Sequence, residues 1–405
     1  MCNNNGACRK ADGVMCPSYR VTRDEQHLTR GRANSLRLAL SGQLAGALAS
    51  QEMYDTLDLC VSCKGCKREC PTGVDMAKMK IEFLYHYRQH HRLGLKERLV
   101  AYLPRYAPWA ARLSPLLNLR DRLPGLAALT EIVLGLSSRR SLPVWRRDIF
   151  RDAPADKAAS GNEVVLLIDT FNRYFEPENA HAALAVLQAA GYTVHLPQPE
   201  DARPLCCGRT FLAIGLVDAA RAEARRMLTA LKPFVARGVP IVGLEPSCLL
   251  TLRDEFKSIL PGAETDALAG RAMLFEEFLA ALHQAGKLKL RLKALPATQA
   301  LLHGHCHQKA FDIMPAVRRV LELVPQLKVE VIESSCCGMA GAFGFDAEHY
   351  DLSLKMAELS LLPKVRAADP ATLLVADGTS CRHQIHDGAG REAIHVARVL
   401  AAALP

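Results

Sequence analysis

The stretch CVSCKGCKRECP, from Cys60 to Pro71, places four cysteines within eleven residues, and few folds accept that density without a metal centre. Three thiolates spaced C-x2-C-x2-C wrap one iron–sulfur cubane, and a fourth followed by proline reaches across to a second cluster in two-cluster proteins. Zinc is the main competitor, but it usually takes two separated pairs and has no use for a run ending in Cys-Pro. A second run is therefore expected nearby. The opening MCNNNGACRK supplies Cys2 and Cys8 with Asn5 between them, and VMCPSYR supplies another Cys-Pro at Cys16. The expected crossed assignment gives Cys60, Cys63, Cys66 and Cys16 to one cluster. Cys2, Cys8 and Cys70 hold the other with three thiolates. Asn5 is then a non-thiolate position, and that cluster has three irons, or four with an oxygen-ligated or open corner. Met1 stands directly before the ligand Cys2, and a ligand at a fraying terminus is poorly held. The intact protein is therefore expected to continue upstream.

At 405 residues the chain exceeds one ordinary core, so several domains are expected. Its fourteen cysteines do not suit a disulfide framework, because the polar N-terminus lacks the apolar core of a secretory leader. A reducing, cytoplasmic setting is expected, where clustered thiols mean metal. No stretch reaches the roughly 18 apolar residues of a spanning helix; the nearest, Leu123 to Leu136, is interrupted by Thr130 and Glu131. The formal charge of +9 is weak evidence for nucleic acid, since each four-iron cluster with four thiolates carries about two negative charges. No Ser/His/Asp or paired-carboxylate constellation stands out, which leaves no hydrolytic role.

Four segments follow from the patterning. Residues 1–92 read as an α-helical ferredoxin-type domain and hold seven cysteines; 93–157 hold none and read as a basic helical linker. Counted to Asp152, that linker has eleven Lys/Arg against five Asp/Glu. Its broken amphipathic helices could pack on the next domain or lie peripherally on the inner face of a membrane. Residues 158–287 and 288–405 then repeat one pattern. VVLLIDT, YTVHLP and VPIVGLEPSC alternate with helices in the first unit, as ALLHGHC, VEVIESSCCGMAG and TLLVADGTSC do in the second. Continuous Val/Ile/Leu strands between helices indicate parallel sheets covered on both faces. The fold class expected is multidomain: the helical two-cluster domain, then two pseudo-symmetric Rossmann-like α/β repeats.

Every remaining cysteine follows the end of a predicted strand, the edge where open parallel sheets bind ligands. Cys306, Cys336, Cys337 and Cys381 give the second unit four thiols, enough for a further cluster. The first unit has only Cys206, Cys207 and Cys248, and its matching first strand ends in Asp169-Thr170-Phe171-Asn172. An incomplete or vestigial site is expected there. Adjacent strand side chains point to opposite faces, so paired cysteines on one ligand need a turn, which Gly208 and Gly338 supply. These glycines and Gly341 are expected to bring backbone amides to the cluster sulfurs. His303, His305, His307 and His383 flank the thiols and, with ordinary pKa values near neutrality, form a candidate proton relay.

The combination of C-x2-C-x2-C-x3-C-P with two Cys-Cys-Gly units resembles the iron–sulfur component of FAD-linked 2-hydroxyacid dehydrogenases and the related heterodisulfide reductase subunits. The stretches RPLCCGRTFLAIG, LEPSCLLTLRDEF, HGHCHQKAF, ESSCCGMAGAFG and ADGTSCRHQI look especially like the C-terminal half of the long D-lactate and D-2-hydroxyglutarate dehydrogenases. The resemblance implies electron transfer from FAD, carried by a partner subunit or a missing N-terminal half, to a quinone or other acceptor. Three departures stand out. No FAD half is encoded; Asn5 replaces a ligand; and Thr251 and Gln384 stand where heterodisulfide reductase-like motifs place final cysteines after Cys248 and Cys381. The last departure counts against a thiol/disulfide oxidoreductase. A nucleic-acid-binding iron–sulfur sensor lacks any supporting helix-turn-helix or aromatic-interleaved basic stretch.

Overall fold

The computed structural model of the chain describes residues 2–44, 46–152, 161–199, 201 and 203–405. Met1 and the expected linker boundary at 157/158 lie outside those described residues.

The N-terminal region is helical, with Pro17–Thr22, Thr29–Leu40, Gln51–Asp58, Gly65–Glu69 and Met76–His90 as its helices. Local chemistry sets their starts: Ser50 Oγ accepts the Met53 N–H at 3.2 Å and Asp75 accepts that of Lys78 at 3.2 Å. The core is small. Leu28, Met53, Leu57, Met76 and Phe83 are buried in one cluster that also contains Cys8, Cys16 and Cys66. Thiols thus occupy positions that apolar side chains would fill in an ordinary helical domain of this size.

Two four-stranded parallel sheets follow. The first contains β1 (Glu163–Leu167), β2 (Thr193–His195), β3 (Ile241–Gly243) and β4 (Ala272–Leu274) in the order β2-β1-β3-β4. The second contains β5 (Gln299–Leu302), β6 (Lys328–Val331), β7 (Leu373–Val375) and β8 (Ala393–Ile394) in the order β6-β5-β7-β8. Six of these strands coincide with the apolar runs read from sequence. The edge strands β4 and β8 were not expected; at three and two residues they are too short to carry a pattern.

The segment before the first sheet is a strap rather than a free linker. Its helices Leu95–Ala101, Leu103–Arg112, Ser114–Leu117 and Leu126–Leu134 run across both units. Ala101 O accepts from Thr210 Oγ1 at 2.8 Å in the first unit, and the buried Arg140 donates to Gln384 Oε1 at 2.7 Å in the second. Ala107 and Ala111 pack on Tyr174 and Phe175. No described helix is long and apolar enough to cross a membrane.

The C-terminal ends of both sheets turn toward one seam. Glu245, beyond β3, accepts the Thr379 N–H beyond β7 at 2.9 Å, and Arg382 Nε donates to Glu176 at 2.7 Å. The helical domain is seated on this seam by charge. Lys64, 1% exposed, pairs with Asp254 and lies 2.7 Å from Glu255, while Lys67 and Lys78 reach the other Asp254 oxygen at 2.7 and 2.8 Å. Burial alone would raise the Asp254 carboxyl, but the Lys64 charge and the lysine hydrogen bonds override it and hold the group well below its ordinary range. Its contribution to stability is therefore complete above the usual carboxylate pKa of about 4 and is lost as pH falls below it. Asp254→Asn is expected to cost about 3 kcal/mol in urea unfolding at pH 7. The difference between variant and native protein should narrow as pH drops below about 4; a difference that persisted unchanged to pH 2 would contradict the assignment.

Candidate metal centres

The loop CVSCKGC is wound by left-handed residues between its ligands, Ser62 at φ 49° and Lys64 at φ 59°, while Cys16 itself sits at φ 47° before its helix. Non-glycine residues hold such angles only where the surroundings over-determine them. Here the result is one cavity lined by Cys16, Cys60, Cys63 and Cys66 together with Thr29, Arg32 and Met76. Backbone amides point at its sulfurs: Thr29 N–H to Cys16 Sγ at 3.2 Å and Met76 N–H to Cys66 Sγ at 3.4 Å. Arg32, 2% exposed, donates to Ser18 Oγ at 3.0 Å and Thr56 O at 3.2 Å and has no carboxylate partner among the described residues. A buried guanidinium beside four thiols fits an anionic, thiolate-bound cluster.

The remaining N-terminal cysteines are less converged. Cys8 faces Cys2 and Arg30, and burial pushes its thiol up. Cys70 packs on the same core, its Sγ 3.3 Å from Thr72 Oγ1. Asn5 is exposed, and its Oδ1 accepts the Ala7 N–H at 3.0 Å. That hydrogen bond holds Asn5 in a local turn beside Cys2 and Cys8.

In the second unit the Cys306, Cys336, Cys337 and Cys381 thiols act on one another electrostatically, Cys306 on Cys336, Cys336 on Cys337 and Cys337 on Cys381. All four are buried. Cys306 is pulled down to about 6, first by the hydrogen bond from Cys336. The turn between the pair depends on Gly338, whose φ is 86° and whose N–H donates to Cys336 Sγ at 3.4 Å. Gly208 N–H makes the equivalent bond to Cys206 at 3.3 Å, whereas Gly341 N–H donates to Ser380 Oγ instead.

A cation missed in the sequence completes this site. Lys309, one helical turn beyond Cys306, is 9% exposed, and its ammonium donates to Ser334 O, Ser334 Oγ and Ser335 O at 2.7, 2.9 and 3.0 Å. Burial lowers it, against the pull of Cys381, Cys306, Cys336 and Cys337. It has no carboxylate partner among the described residues, so the four thiols are its counter-charge. The i, i+3 spacing of Cys306 and Lys309 carried that signal. Arg209 is a second such group, paired with Glu255 at 2.5 Å and electrostatically coupled to both Cys207 and Cys306.

His303 and His307 do not match a relay working near neutrality. Burial, then Lys309, pushes His303 down to about 4, and burial with Arg209 holds His307 well below its ordinary value. His303 instead offers a ring nitrogen within 4.8 Å of the Cys337 and Cys381 sulfurs. His305 Nδ1 accepts the His307 N–H at 3.1 Å, and His307 Nε2 lies 3.1 Å from Ser62 O in the first cluster loop. His383 turns away from the thiols, donating from Nε2 to Ser141 O at 2.8 Å.

The first unit brings together Cys206, Cys207 and Cys248, whose thiols act on one another electrostatically. Among the described residues no fourth thiol joins them, since Thr170 stands at the helix position that Cys306 holds in the second unit. Cys248 is coupled to Asp169 and Glu245, both pushed up by burial. Two buried carboxyls oppose a further anionic group. The positions where a fifth cysteine would stand are filled structurally: Thr251 Oγ1 donates to Ser247 O, and Gln384 accepts from Arg140 and donates to Ser353 O.

Comparison with known proteins agrees with this chemistry. A family model described as a 4Fe-4S dicluster domain matches residues 1–74, and one described as a cysteine-rich domain matches 170–253 and 300–386. By these matches and the relatives below, the chain is similar to the iron–sulfur half of FAD-linked dehydrogenases. It is 27% identical to the D-2-hydroxyglutarate dehydrogenase of Pseudomonas putida, an alignment covering 98% of this chain and 42% of that protein. It is 28% identical to one subunit of the anaerobic glycerol-3-phosphate dehydrogenase of Escherichia coli, over 72% of each chain. The glycolate oxidase iron–sulfur subunit of Escherichia coli is 25% identical, over 85% of this chain and 80% of that one. The chain spans about two fifths of the D-2-hydroxyglutarate dehydrogenases it matches.

Gly338→Ala tests the second-unit site. The added Cβ would lie 2.2 Å from Ser353 O at a left-handed φ. Destabilisation of at least about 2 kcal/mol is expected, with the loss of about four irons per chain. Full iron content and native stability in this variant would contradict the role given to the turn.

Proposed function

We propose that the chain is the iron–sulfur electron-transfer component of a FAD-linked D-2-hydroxyacid dehydrogenase, of the lactate, 2-hydroxyglutarate or glycolate kind. It stands between a flavin on a partner subunit or a missing N-terminal half and a quinone or other acceptor. Cys16, Cys60, Cys63 and Cys66 hold one cluster, Cys2, Cys8 and Cys70 a second, and Cys306, Cys336, Cys337 and Cys381 a third, with Cys206, Cys207 and Cys248 an incomplete set. Bound clusters supply one-electron redox chemistry, splitting the electron pair of a reduced flavin. The open position at Asn5 predicts a three-iron signal in oxidised protein, which EPR reads directly.

The observation that carries this reading is the junction of two thiol sets. Val61 and Cys63 belong to the same buried apolar cluster as Cys306, Cys336, Cys337 and Cys381, and His307 and Ser62 join the two loops. The protein's part is to hold these sites at short range, exclude water, direct amides at the sulfurs and oppose their charge with Arg32, Arg209 and Lys309. The matching order of the two sheets supports a pair of Rossmann-like repeats related by a pseudo-twofold axis, with units 158–287 and 288–405 as their extents.

A peripheral membrane position is part of the proposal. Trp109, Leu113, Leu116, Leu129, Ile132 and Val133 are each more than half exposed, all on the strap, and Arg112 lies 4.8 Å over the Trp109 ring. Apolar side chains interspersed with arginine suit an anionic lipid surface; flotation with anionic vesicles that Ile132→Asp abolishes is the expected result, and equal flotation of both proteins would sink the idea.

The function itself is tested by affinity capture of the tagged chain from its source cells under anaerobic conditions. A flavin-bearing partner is expected, and a D-2-hydroxy acid should then bleach the visible absorbance of the clusters. Capture without a flavoprotein, or clusters left oxidised by every such acid, would overturn the assignment.

A further inference from the structure

His303 stands at the second-unit thiol site, yet four cysteines already supply the ligands there. It follows β5, its backbone N–H donates to Val375 O of β7 at 2.9 Å, and the residue is 1% exposed. A ring nitrogen lies within 4.8 Å of the Cys337 and Cys381 sulfurs, which are within that distance of each other. Nδ1 is 2.9 Å from Ser334 Oγ, while Nε2 is buried with no hydrogen-bond partner among the described residues. Ser335 Oγ, beside Cys336, is a second buried polar atom without a partner. Two orphaned groups at one thiol set point to something there that accepts hydrogen bonds.

Ser334 locates the ring proton. Its oxygen already accepts from the Lys309 ammonium at 2.9 Å, so the hydroxyl proton is directed elsewhere. Two acceptors are in reach, His303 Nδ1 at 2.9 Å and Ile332 O at 3.4 Å. The closer one wins, because a contact of 3.4 Å is long for an O–H donor. Nδ1 is then the acceptor, and the proton of the neutral ring sits on Nε2. The other tautomer would leave a bare lone pair on Nε2 beside anionic thiolates. A buried N–H without an acceptor costs the desolvation of that group, and sulfur is what the ring faces.

We propose that His303 donates a hydrogen bond from Nε2 to sulfur of the second-unit cluster, neither ligating iron nor carrying protons, and that it makes this cluster easier to reduce. The proposal rests on the reading that Cys306, Cys336, Cys337 and Cys381 hold a cluster. Reduction adds negative charge to the cluster, so a donor at sulfur stabilises the reduced state more than the oxidised one. Lys309 acts in the same direction by charge. His303 is therefore a positioning residue: Ser334 orients the ring, Lys309 orients Ser334, and the ring tunes the cluster through a hydrogen bond rather than a bond to iron.

The test is pulsed EPR and redox titration of the purified, cluster-loaded full chain carrying isotopically labelled histidine nitrogen. Weak nitrogen coupling together with an exchangeable proton is expected at the second-unit cluster. His303→Leu should lose both and make reduction about tenfold less favourable, or about 59 mV for one electron. His303→Gln, whose amide can still donate, should lie between the two. Strong nitrogen coupling of the kind direct ligation gives, no histidine coupling at all, or an unchanged potential in His303→Leu would each overturn the proposal. If His303→Leu loses its iron, the spectrum of the native chain still decides. The iron content of the native chain reports the cluster itself, so the absence of a second-unit cluster would be distinguished from a cluster that His303 does not touch.

Discussion

The architecture depends on one buried ammonium group. Lys64 lies inside the densest cysteine run of the chain, between Cys63 and Cys66, yet its charge is answered by Asp254 and Glu255 of the first α/β unit. Removing both partners from water is costly and is repaid only in good geometry. Lys67 and Lys78 converge on the same carboxylate. The consequence is positional: the loop is fixed with Cys63 against the thiols of the second unit. The ion pair belongs to one unit and the thiol junction to the other, so the helical domain is held across the seam.

Charge also distinguishes the two thiol sets of the repeats. In the second unit Lys309 has four thiols as its counter-charge, and Arg209 reaches toward Cys306 from the first unit. In the first unit Asp169 and Glu245 crowd Cys248, and Glu245 is committed to capping the helix that begins at Thr379. One repeat is therefore electrostatically prepared for an anionic cluster. Its counterpart is turned to holding the molecule together, through Glu245 and Glu176.

Much of this was legible in the sequence, for identifiable reasons. Strands covered on both faces are continuous apolar runs, so six of eight could be read directly, and parallel sheets place ligands at strand C-termini, which located Cys206, Cys207, Cys248, Cys306, Cys336, Cys337 and Cys381. The short strands β4 and β8 left no periodic trace. Long-range ion pairs left none either: nothing in CVSCKGC indicates that Lys64 will meet Asp254. His303 and His307 misled because proximity to cysteine in sequence suggested ordinary titration, whereas burial removes it, and His383 is taken up by Ser141 O. The hydrogen bond that holds Asn5 in a local turn left no trace in the cysteine spacing either.

The central claim is that the thiol set of the helical domain and that of the second unit form one relay rather than two independent sites. EPR of the fully reduced chain tests it most directly. The account predicts broadened or split signals from spin–spin coupling between neighbouring clusters, collapsing to uncoupled lines in Cys381→Ser with the N-terminal signals retained. Native spectra equal to the plain sum of isolated clusters, unchanged in shape when the second-unit cluster is removed, would contradict it.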